Sequence, residues 1–127
     1  MPRLKVSVLI ELDGQKIANS PLVYRYNVAE NSGPGLTLIA TPDNGSVTYH
    51  PVAAATMPAM TAFIATTDQP INFKINVNTP VPLSPPGIIM ILGTNLVQGT
   101  PNLNIQYNNP ALTGGANATL SIIAAGT

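Results

Sequence analysis

Apolar and polar residues alternate along most of this chain with the two-residue period of strands that bury one face. Leu4, Val6, Val8, Ile10 and Leu12 alternate with Arg3, Lys5, Ser7 and Glu11, and only Leu9 breaks the polar side. Asp13-Gly14 follows, a dipeptide suited to a type I′ hairpin because both residues tolerate positive φ, so residues 15–18 can return beside the first strand. Leu22, Tyr24, Tyr26 and Val28 alternate with Val23, Arg25 and Asn27. Leu36, Leu38 and Ala40 resume the pattern after Gly33-Pro34-Gly35. Pro42-Asp43-Asn44-Gly45 predicts a turn, with proline presetting the first φ, and Val47-Thr48-Tyr49 is expected to rejoin the sheet. The Ala-rich stretch from Val52 to Met60 has room for one helical turn before Pro58 stops it.

The second half repeats the alternation. Ala62, Ile64 and Thr66 predict one short strand, and Ile71, Phe73, Ile75 and Val77 another, with Asn72, Lys74, Asn76 and Asn78 on its far side. Thr79 to Gly87 holds too many prolines for a central strand and predicts a stiff crossing segment between sheets. Ile88 to Leu92 is apolar on both phases, which predicts a strand buried on both faces and ended by Gly93. Leu103, Ile105 and Tyr107 alternate with Asn102, Asn104 and Gln106. Turns at Asn108-Asn109-Pro110 and Gly114-Gly115 precede Leu120, Ile122 and Ala124, which alternate with Thr119, Ser121 and Ile123. No segment carries a helical stripe. Eight or nine strands at this spacing predict an all-β fold: a single antiparallel β-sandwich, jelly-roll-like, over residues 1–127.

Composition changes that picture in one respect. Charged residues are 8% of the chain, against about 25% in an ordinary soluble domain. Five basic and five acidic side chains cancel, which argues against capture of nucleic acid or an anionic membrane. No cysteine is present, so disulfides, thiolate nucleophiles and zinc–thiolate sites are excluded. The longest aliphatic run, Ile88 to Leu92, is far below the ~20 residues of a membrane-spanning helix, and the N-terminal stretch does not read as a secretory signal. Seven of the ten charges lie between Arg3 and Glu30, and from Ile75 to Thr127 there are none. Polar strand phases there carry Asn, Gln, Thr and Ser instead. Charge is depleted where surfaces are buried between subunits. Asn72, Asn76, Asn78, Asn102, Asn104, Gln106, Thr119 and Ser121 are therefore the candidate interface residues.

Little chemistry is legible. His50 is the only imidazole, and no nucleophile elbow accompanies it. Glu11, Asp13, Glu30, Asp43 and Asp68 are scattered, Gly33-Pro34-Gly35 lacks the third glycine of a phosphate loop, and no calcium-loop spacing occurs. No catalytic, cofactor-binding or metal-ligating residue is expected. The six aromatics fall mostly on apolar phases and are expected in the core.

Residues 66–76 (Thr66-Thr67-Asp68-Gln69-Pro70-Ile71-Asn72-Phe73-Lys74-Ile75-Asn76), Ile88 to Gly93, Leu103 to Asn109 and Ala118 to Gly126 together resemble small all-β virion proteins of tailed bacteriophages. These include capsid decoration (cement) proteins and small neck or tail components, similarly poor in Cys, Trp and charge. The resemblance is one of style across the second half of the chain and brings no diagnostic motif. It implies a non-enzymatic structural protein of the virion, made in the host cytoplasm. Its expected form is a homotrimer bound to the major capsid protein or another virion protein, without nucleic acid, membrane or cofactor. A carbohydrate-binding adhesion module of a tail or spike, a neck or tail structural component, and a small hydrolase with a carboxylate pair are the alternatives.

Overall fold

A computed structural model describes residues 3–17, 19–27, 30–31, 36–52, 59–75, 79–98 and 105–126. Its regular elements are all strands: β1 (Arg3–Val8), β2 (Glu11–Leu12), β3 (Gln15–Lys16), β4 (Leu22–Asn27), β5 (Glu30–Asn31), β6 (Leu36–Ala40), β7 (His50–Pro51), β8 (Ala59–Thr67), β9 (Ile71–Ile75), β10 (Val81–Leu83), β11 (Ile88–Gln98), β12 (Ile105–Asn108) and β13 (Ala118–Gly126). Thirteen strands among the described residues exceed the eight or nine expected, because four of them are only two residues long.

Two antiparallel sheets form a sandwich. The first has the order β11-β8-β13, with β5 and β6 lying end to end along the far side of β13. The second has the order β10-β9-β12-β7. Alternation explains which side chains meet between them. Leu38, Phe63, Ala65, Ile89, Ile91, Leu120 and Ile122 face inward from the first sheet, and Ile71, Phe73, Ile75, Leu83, Ile105 and Tyr107 from the second. Phe63 and Phe73 meet edge to face at 6.1 Å, the geometry that ring quadrupoles favour.

Several expectations are corrected. The core phase of β8 is Thr61, Phe63, Ala65 and Thr67, not Ala62, Ile64 and Thr66. The strand beginning at Ile88 is an edge strand open on its outer side, so Ile88 and Met90 are exposed rather than buried, and it runs through Gly93 to Gln98 with a register shift after Leu92. Val47 to Tyr49 form no strand: the Asn108 side-chain amide takes the carbonyls of Ser46 and Thr48, and Val47 stands in solvent. Among the aromatics, Tyr24 is exposed and Tyr49 lies under the Lys74 ammonium, 4.2 Å from the ring centre. The possible helical turn falls on residues 53–58, outside the described residues.

The proline segment splits in two. Val81–Leu83 pairs with β9 as an edge strand, where a proline removes no ladder bond from a second neighbour. Ser84 to Gly87 then turns across to the first sheet, closed by the Gly87 N–H donating to Ser84 O at 2.7 Å. A Cβ on Gly87 would sit 2.7 Å from that carbonyl oxygen and 2.8 Å from Leu83 Cδ1, so glycine is required by close approach.

The N-terminal strands are the largest departure from a two-layer sandwich. β1 pairs with β4, and β2 with β3 around Asp13-Gly14, whose φ values of 51° and 78° make the expected type I′ turn. The result is a two-stranded ribbon. Its base packs Leu4 against Ala62 and Ala125, where Leu92 also packs, on the outer face of the first sheet, as a partial third layer. Val6 is also buried, but neither residue joins the main core, where the alternation alone would put them.

Candidate interaction surface

Register converts strand phase into a surface. On the outer face of the first sheet, Met90, Ile64 and Ile123 form one cross-strand row, and Ile88, Thr66, Ser121 and Thr37 form the next. Thr119 and Ile39 form a third. The row on the other side, Leu92, Ala62 and Ala125, is the one that Leu4 covers. The three open rows contain no charged residue. Ile39 is 62% exposed and Ile88 54%, with Met90 and Ile123 also open. Exposed apolar side chains scattered singly need no explanation, but these share one face with only Thr and Ser between them.

The expected interface residues do not form a single patch. Thr119 and Ser121 lie on this face. Asn72 and Gln106 lie on the outer face of the opposite sheet, beside Lys74 and Pro51. Asn76, Asn78, Asn102 and Asn104 fall outside the described residues. Sequence reasoning missed the apolar half of the first face. The signals were Ile123 on a polar phase and the double-phase run at Ile88, which was read as burial.

The loops at one end of the sandwich are locked by a polar cluster. Asp43 Oδ2 accepts the Asn109 N–H at 2.8 Å, while the Asp43 N–H donates to Asn109 O at 3.0 Å. The buried Asn109 amide donates to Ala40 O and Ala116 O, and its Oδ1 accepts the Ala111 N–H. Asn44 and Gly45 occupy the positive-φ positions of the predicted turn. His50 Nε2 lies 2.7 Å from Asp43 Oδ1, and its ring packs 5.3 Å from that of Tyr107.

Burial pushes the Asp43 carboxyl upward, but the His50 hydrogen bond, the Asn109 N–H and the His50 charge outweigh it, and its pKa falls below the ordinary 3.8. Burial, followed by the Asp43 charge, raises the Tyr107 hydroxyl above 10.0. Ser46 Oγ donates to Thr48 Oγ1 at 2.8 Å. The histidine–aspartate pair thus ties the two loops together.

Beside it, a groove of about 200 Å³ is lined by Gln69, Pro70, Asn109, Pro110, Ala111 and Ala116, and none of these titrates. No group of three potential metal-ligating side chains occurs among the described residues. Comparison with protein-family models, curated proteins and solved structures found no match.

Proposed function

We propose that this chain is a structural assembly subunit without enzymatic activity, a decoration protein that binds and stabilises the capsid shell of a tailed phage. The observation that carries this reading is the open face of the first sheet, whose exposed Ile39 and Ile88 lie among the neutral hydroxyls of Thr37, Thr66, Thr119 and Ser121. A face of this kind loses water at low cost when a partner covers it, because no ion has to be desolvated. Threonine and serine hydroxyls supply hydrogen bonds that fix orientation. The sequence resemblance supplies the setting: a particle in which many copies meet a repeating shell.

The test is co-sedimentation of purified protein with shells that lack it. Wild-type protein is expected to pellet with the shells. Ser121→Lys, in the middle of the open face, is expected to stay in the supernatant while keeping the parent circular dichroism spectrum and melting temperature. Equal pelleting of both proteins, or no pelleting of the wild type, would refute the assignment.

A further inference from the structure

We infer that the N-terminal ribbon of one copy docks on the outer face of the first sheet of a second copy over the Met90–Ile64–Ile123 row, leaving the Ile88–Thr66–Ser121–Thr37 and Thr119–Ile39 rows to the shell. This deepens the assembly reading and rests on it. The ribbon presents an apolar surface of its own: Ile10, Leu12 and Ile17 share one side and are exposed, Leu12 by 69%. β2 and β3 touch chiefly each other among the described residues, so the tip is a bare hairpin, and such hairpins are marginally stable in water until they pack.

The base of the ribbon shows what its apolar side fits. Leu4 already packs against Ala62 and Ala125, which with Leu92 make the row next to Met90, Ile64 and Ile123. Within one molecule the tip and the remaining rows are exposed together, so each chain carries both halves of a contact that it does not make with itself.

Charge points the same way. The ribbon carries Arg3, Lys5, Lys16 and Arg25 against Glu11 and Asp13, whereas the rest of the chain carries Lys74 against Glu30, Asp43 and Asp68. A net positive arm therefore meets a net negative body. Asp68, exposed and held by the Thr119 N–H at 2.7 Å, stands at the margin of the open face and gives a ribbon cation an acid to meet. Contact between two different surfaces is heterologous, so it closes into a ring when the rotation between copies allows.

Complementation between two full-length variants tests this in sedimentation velocity. Leu12→Asp spoils the ribbon tip and Met90→Asp spoils the face; both side chains are exposed enough for the fold to survive, and Leu12→Ser with Met90→Thr replaces them if either fails to fold. Wild-type protein is expected to associate at tens of micromolar, and each variant alone about tenfold more weakly or less. An equimolar mixture of the two is expected to recover a heterodimer, because each retains the half the other has lost.

A monomeric wild type, a variant that assembles like the wild type, or a mixture of folded variants that stays monomeric would overturn the inference. So would a Leu12→Asp protein that self-associates normally but no longer binds shells, since the ribbon would then belong to the shell contact. The decoration reading fails separately, when wild-type protein assembles with itself and pairs in the complementation assay but never pellets with shells.

Discussion

Asn109 is almost fully buried, and its side chain serves three backbone groups of two loops. Asn109→Leu keeps the branched four-atom skeleton, with bulkier methyl ends, but strands the Ala40 and Ala116 carbonyls and the Ala111 N–H. Buried groups left unsatisfied cost ~1–3 kcal/mol each and not additively, so a loss on the order of 3 kcal/mol is expected in urea unfolding. Asp43 adds a pH dependence. Its pKa is lower in the fold than the ordinary 3.8, so ionised Asp43 stabilises the fold fully above the unfolded value, and this contribution disappears as pH falls through the folded one. Asp43→Asn is expected to lose ~1–2 kcal/mol near neutrality, and its stability curve should begin to approach the parent's below about pH 4 and meet it only below the folded pKa of Asp43. Parallel curves down to pH 2 would show no such linkage. None of this was legible in the sequence beyond the Asn-Gly turn itself, because the partners of Asp43 and Asn109 meet only when distant loops are brought together.

At the scale of elements, period-two alternation located β1, β4, β9, β12 and β13 and chose the core face of β9, β12 and β13. It failed where both phases are apolar. β8 has one face in the core and the other partly under the ribbon, so Phe63 and Ala62 are both buried and alternation cannot rank them. β11 carries apolar residues on both phases for opposite reasons: Ile89 and Ile91 pack on the core, while Ile88 and Met90 face outward. Pairing also exposes a defect that pattern alone hides. Lys5 stands directly opposite Arg25 on the ribbon, with Arg3 two residues along, and none of the three forms an ion pair with a described acid. Like charges in direct cross-strand register are unfavourable. Arg25→Glu is expected to strengthen the ribbon by ~0.2–1 kcal/mol, read as slower hydrogen exchange of the β1 and β4 amides. Unchanged exchange would mean that solvent already screens the pair.

For the whole molecule, the sandwich was legible because so many segments alternate and none carries a helical stripe, whereas the third layer was not, because nothing in strand periodicity says which sheet a ribbon leans on. The position of β13 has a kinetic consequence. It is the central strand of its sheet, and its neighbours come from far earlier in the chain: Leu120 pairs with Thr67, and Ile122 with Leu36 as well as Ala65. Until residues 118–126 arrive, β8 and β6 each lack the partner that satisfies their inner edge. Closing such long loops is slow, with millisecond-to-second folding typical of non-local β topologies. A chain with no net charge spends that interval showing unpaired, mostly neutral edges to its neighbours. Refolding from urea is therefore expected to be slow and to give yields that fall as protein concentration rises, measured by stopped-flow fluorescence and light scattering. A yield independent of concentration would mean that β8 and β11 hold each other in register without help. The strand that completes the sheet is also the one that ends the molecule's exposure to its own copies in the wrong register, so assembly and misassembly compete for the same unpaired edges until it docks.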